Sequence, residues 1–135
     1  MRRPLRFALG GMLGFAVDSA ALHLLMAGAG LGPYAARVPS FLLAATCTWL
    51  VGRYWTFADL RGQRRGREWR RWIAAMAVGG ALNYAVYAAA VAGSATVRGW
   101  PVLGVAAGSL AGMVVNYLTA RFWVFSRTAR ATAAP

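Results

Sequence analysis

The sequence predicts an all-α integral membrane protein with four transmembrane helices, built as two parallel two-helix repeats. Three observations carry that expectation: four long apolar runs, arginines gathered on alternate connections, and a recurrence of the first half of the chain in the second. The chain has 135 residues, 59% hydrophobic and 13% charged. A soluble domain is roughly half apolar and about a quarter charged. Every basic residue is arginine, and the acids are only Asp18, Asp59 and Glu68.

The first run, Phe7 to Leu31, is interrupted by Asp18 and His23. Its start, Arg2-Arg3-Pro4-Leu5-Arg6, resembles an export signal, but the run is longer than the roughly 7–15 residues of a signal core. It is therefore expected to remain as a span. The second run, Val38 to Gly52, is uncharged, extends through Tyr34 and Tyr54, and is bounded by Arg37 and Arg53. Ile73 to Val97 and Gly99 to Ala120 are the third and fourth runs. A hydrocarbon core about 30 Å thick needs roughly 20 apolar residues in a helix, which each run meets once its flanks are included.

Arg2, Arg3 and Arg6 precede the first run, Arg61, Arg64, Arg65, Arg67, Arg70 and Arg71 fill the middle loop, and Arg127 and Arg130 follow the last run. With Arg53 and Arg121 at the ends of the second and fourth runs, 13 arginines share one side and only Arg37 and Arg98 take the other. The positive-inside rule then puts both termini and the middle loop in the cytoplasm. The net charge of +12 is thus expected to face anionic lipid heads rather than nucleic acid.

A shift of 65 residues places Arg6-Phe7 on Arg71-Trp72, Gly14 on Gly79 and Asp18 on Asn83. A shift of 68 places Arg53-Tyr54-Trp55-Thr56-Phe57 on Arg121-Phe122-Trp123-Val124-Phe125. The same shift sets Ala36, Ser40, Ala44, Thr48 and Gly52 on Gly104, Gly108, Gly112, Asn116 and Ala120, two stripes of small residues stepping by four. Such stripes let membrane helices approach closely. The chain is therefore one domain over 1–135, with repeat one at about 6–57, a basic cytoplasmic loop at about 58–71 and repeat two at about 71–125. Each copy returns to its starting side, so the copies run parallel about a pseudo-twofold along the membrane normal.

Asp18 and Asn83 each fall roughly 16 Å along their helices, near the bilayer midplane. An acid there costs about 2.5–3.5 kcal/mol to insert and should face protein or water; packing against a neighbouring helix is the alternative to function. Arg53 and Arg121 are expected at the inner interface, where a guanidinium can grip a phosphate in a two-pronged fashion. Trp55 and Trp123 would fix their depth among the head groups, although snorkelling and anchoring alone could place such residues there. Asn116 and Thr48 lie deeper on the same helices.

One Cys (Cys47) and one His (His23) exclude a disulfide framework or an ordinary zinc site. No Walker loop is present. No nucleophile–base pair can be assembled from so few groups, so neither an enzyme nor a cofactor is expected.

The opening Arg6-Phe7-Ala8-Leu9-Gly10-Gly11, the Arg53-Tyr54-Trp55-Thr56-Phe57 end and the Asn116-Tyr117-x-x-x-Arg121-Phe122-Trp123-Val124-Phe125 end resemble the GtrA-like family, from about Arg6 to Arg127. Thr48 stands where that family usually has a second Asn. The resemblance implies movement of polyprenyl-phosphate-linked sugars across the cytoplasmic membrane for cell-envelope polysaccharide synthesis, often beside a polyprenyl-phosphate glycosyltransferase. The residues are compatible with such a flippase: Arg53 and Arg121 for the phosphate, Asp18, Asn83 and Asn116 for sugar hydroxyls, and the small-residue stripes as a thin wall for the tail. Two other functions stay open. One is a membrane anchor that recruits the glycosyltransferase and moves nothing. The other is a small proton-coupled exporter similar to the small multidrug resistance family. Four spans are few to enclose a path, which points to a homodimer.

Overall fold

The computed structural model describes residues 2–126, apart from the side chains at 33, 34 and 101. Arg127 and Arg130, counted above on the basic side, lie outside the described residues, as does the side chain of Tyr34. Helix α1 runs Arg3–Gly28, with Pro4 in its first turn where no N–H is needed. It ends in a turn at which Gly30 takes a φ of 65°, open to glycine without a steric cost. Helix α2 is Pro33–Val51 and α3 is Arg65–Gly93. A short helix α4, Ala95–Gly99, follows, and α5 spans Pro101–Thr119.

Two expectations change. The third apolar run is broken at Ser94, whose hydroxyl caps α4 by accepting the Val97 N–H at 3.3 Å. Much of the expected basic loop is helix: α3 starts at Arg65, so Arg65, Arg67, Arg70 and Arg71 ride on its first turns. The α2 and α5 helices also do not end as regular α-helix. Each widens into a single π turn, Gly52–Thr56 and Ala120–Val124. The Phe57 N–H closes the first on the Gly52 carbonyl at 2.7 Å, and the Phe125 N–H closes the second on Ala120 at 2.9 Å.

The helices pair as two hairpins, α1 with α2 and α3 with α5. Their seams are the small-residue stripes. Ala36, Ser40, Ala44 and Gly52 are buried on one side, and Gly104, Gly108, Gly112 and Ala120 on the other. A Cβ added to Gly112 would stand 2.8 Å from the Gly79 carbonyl oxygen, so α5 touches the α3 backbone. The stripes therefore seal each hairpin. They do not thin a wall for a lipid tail.

The hairpins meet mainly at the end that carries the arginines, through aromatic rings. Phe57 stacks on Phe125 with centroids 5.0 Å apart and planes 18° from parallel. Phe7 meets Phe57 edge-on at 6.3 Å, and Trp72 meets Phe125 at 5.8 Å. These two contacts are related by the same shifts that relate the two halves of the sequence. Arg6 and Arg71 repeat the correspondence: each guanidinium lies over the ring of Trp55 or Trp123, at 5.7 and 5.8 Å, and donates to that residue's carbonyl. Leu60, Ala75, Ala120 and Val124 complete this buried cluster.

Outward, the helices are apolar: Met12, Phe15, Leu24, Tyr84 and Leu110 all stand exposed. Four helices are long and apolar enough to cross a membrane. A small, tightly packed interior under a large apolar exterior suits lipid rather than water. The chain is a multi-pass membrane protein.

Candidate functional site

Beyond the aromatic joint the hairpins diverge, and a cavity of about 630 Å³ opens between them. Phe7, Thr56 and Trp72 floor it at the basic end. Glycines 10, 11, 14, 79, 80 and 112 line its walls, and Met12, Phe15 and Met113 stand at its rim, each also exposed on the outer surface. The cavity thus communicates with the lipid side of the bundle through apolar side chains.

Polar groups come from all four long helices: Asp18 from α1, Arg37 and Thr48 from α2, Asn83 from α3, and Ser109 and Asn116 from α5. Their placement follows from missing side chains opposite. Thr48 packs where Gly14 leaves room, and its Oγ1 donates to the Ala45 carbonyl at 3.0 Å and accepts the Trp72 indole N–H at 3.3 Å. At the repeat-related position Asn116 fills the space left by Gly79. Its Oδ1 lies against the Gly79 backbone and has no hydrogen-bond partner among the described residues. Asn83 sits against Gly108 and Gly112.

Asp18 is ion-paired with Arg37, whose Nη1 donates to Oδ2. The carboxylate side chain is 18% exposed, and its other oxygen, Oδ1, is buried without a partner. The sequence set Asp18 near the midplane, facing protein or water, and put Arg37 on the side opposite the basic loop. The structure adds a cation reaching inward: packing of Gly14 on Thr48 sets Asp18 about level with Ala44, roughly 10 Å along α2 from Arg37. An ion pair is the usual resolution for an acid at this depth.

Of the residues proposed from sequence, Asp18, Asn83, Asn116 and Thr48 line the cavity. Arg53, Arg121, Trp55 and Trp123 do not. Arg53 is 5% exposed, and its Nη1 donates to Glu68 at 2.6 Å while Nη2 donates to the Gly62 carbonyl at 3.0 Å. Glu68 also accepts the Trp49 indole N–H at 3.1 Å and the Gly62 N–H at 2.8 Å. Nη1 and Nη2 thus tie the Gly62 loop and α3 to the end of α2, outside the cavity, while Nε is buried with no partner among the described residues. Arg121, its counterpart, is partly buried with its guanidinium over the Phe122 ring at 5.1 Å, away from the cavity. Trp55 and Trp123 are 40% and 45% exposed on the outer surface, as interfacial anchors are.

The GtrA/DPMS transmembrane-domain family matches residues 6–125, nearly the whole chain. The chain belongs to that family. No curated protein matches it. For a GtrA/DPMS domain the match covers both hairpins, both π turns and every residue of the cavity. The family is the one the Arg-aromatic-Trp-x-Phe ends resemble, and the fold class is the one expected from the four apolar runs and the repeat. Arg37 and Ser109 are polar cavity residues that sequence reasoning missed. The available signal for Arg37 was the scarcity of acids: Asp18, Asp59 and Glu68 each pair with an arginine, respectively Arg37, Arg3 and Arg53.

Proposed function

We propose that this domain translocates a polyprenyl-phosphate-linked sugar across the cytoplasmic membrane for cell-envelope polysaccharide synthesis or modification, with both termini cytoplasmic. One observation carries it: a cavity of about 630 Å³ within the membrane spans, lined by polar side chains from all four long helices, Asp18, Arg37, Thr48, Asn83, Ser109 and Asn116. Its size lies in the roughly 300–1,000 Å³ range of ligand sites. A hydroxyl-rich head can hydrogen-bond with the polar lining, Asp18, Asn83 and Asn116, where hydrocarbon offers nothing, while the tail leaves between Met12, Phe15 and Met113. Transport of this kind needs no bond-making at the sugar, and no catalytic group is assigned.

The test is flipping of a polyprenyl-phosphate-linked sugar in liposomes containing this protein alone. Asn116→Ala and Asn83→Ala should each slow it by about tenfold, the value of a hydrogen bond or two. Parental rates in both variants would remove the cavity from the path. A second reading, an anchor for a polyprenyl-phosphate glycosyltransferase, is favoured by the exposed Arg61, Arg64, Arg65, Arg67 and Arg70 at one end of the bundle. That surface can also lie on anionic lipid heads. No flipping by the parent protein, with recruitment lost when these arginines are neutralised, would support the anchor instead. A homodimer enclosing the cavity mouth is compatible with either function.

A further inference from the structure

Among the described residues, the cavity is lined by one cation, Arg37. The arginines first expected to meet a phosphate, Arg53 and Arg121, lie elsewhere. Arg37 spends one N–H on Asp18, its guanidinium has no other hydrogen-bond partner among the described residues, and its side chain is 54% exposed. Its pairing is incomplete from the acid's side too, because Asp18 Oδ1 is left bare. Two facing groups free to pair through both prongs usually do so. Here one contact is made, and the rest of the guanidinium fork remains available to two oxygens of a second anion.

We infer that Arg37 is the phosphate receptor of the cavity and that Asp18 is its internal counter-ion, displaced in part when the phosphate of a lipid-linked ligand enters. The inference rests on the proposed function for its site and deepens it by naming the residue that meets the charge. Without Asp18, the empty cavity would hold an uncompensated cation within the membrane spans. With it, the resting site is neutral, and the incoming phosphate competes for a partner already held. Competition weakens binding and speeds release, which a carrier needs and a static lipid anchor does not.

The experiment is titration of purified protein in detergent micelles with farnesyl phosphate, with farnesol and inorganic phosphate as separate arms. Arg37→Gln should weaken farnesyl phosphate by about tenfold or more, the worth of a charge-assisted contact. Asp18→Asn should tighten it several-fold while slowing flipping in liposomes. Arg37→Gln alone leaves Asp18 unpaired and could unfold the bundle, so the deciding protein is the double variant Arg37→Gln/Asp18→Asn, which has no orphaned charge. It should bind as weakly as the single variant, and farnesol should be indifferent to all three. Inorganic phosphate following the same order would support a free anion as the ligand. Binding restricted to farnesyl phosphate would support a lipid head group. Parental affinity in the double variant, or weaker binding by Asp18→Asn, would overturn the assignment. Micelles have no two leaflets, so absent flipping with Arg37-dependent binding sinks the proposed function alone. Flipping unchanged in the double variant sinks this inference alone.

Discussion

Glu68 shows how a single acid can organise the end of a membrane bundle. It is 4% exposed, faces Arg53 at 2.6 Å, and gathers two further N–H donors from Trp49 and Gly62. Removing one partner of a buried pair typically costs about 3–5 kcal/mol, because the other charge is stranded. Glu68→Ala should therefore lower thermal stability in detergent sharply, and Arg53→Met/Glu68→Leu should recover most of the loss. If the double variant melts no higher than the single, the pair is more than charge compensation. Neither partnership of this kind was legible in the sequence. Glu68 sits in a stretch that reads as uniformly basic, 15 positions from Arg53, and Arg37 lies 19 from Asp18. Which arginine meets which acid depends on hairpin register, and linear spacing does not encode that. The polar character of Asp18, Asn83 and Asn116 was legible, because hydrocarbon makes any such residue conspicuous.

At the scale of the element, small residues in steps of four gave the helix faces correctly, since α-helical periodicity governs most of each span. That periodicity changes at the ends of α2 and α5. The π turns at Gly52–Thr56 and Ala120–Val124 insert an extra residue per turn, and no composition rule marks them. Their effect is to carry Phe57 and Phe125 inward, both fully buried. Close seams make specific demands on individual glycines. A Cβ at Gly79 would fall on the Asn116 amide, whereas one at its neighbour Gly80 meets nothing within 4 Å. Gly79→Ala should destabilise the protein by about 1–3 kcal/mol, the usual cost of overpacking. Gly80→Ala should hold or raise the melting temperature, since alanine is the better helix former. Thermal unfolding of both in one detergent decides it, and equal melting temperatures would mean that α5 is free to draw away from α3.

For the whole molecule, the arginine distribution makes a claim about orientation that thiol labelling can settle. Cys47 is the lone cysteine, so a Cys47→Ala background accepts Arg64→Cys as a single reporter. It should react with an impermeant reagent only from the cytoplasmic side, because 11 of the 13 arginines among the described residues lie at that end of the bundle. Reaction from outside intact cells would invert the topology. The aromatic joint has a mechanical consequence. Two stiff arms clasped at one end form a lever, and α1 alone is 26 residues long. At about 1.5 Å per residue that is roughly 39 Å, so a tilt of about 10° at the clasp moves the distant tip by about 7 Å. Little rearrangement of Phe57 against Phe125 is needed for a large change in aperture at the other end. Spin labels on the Leu31 and Trp100 turns should therefore report a broader distance distribution than labels beside the clasp.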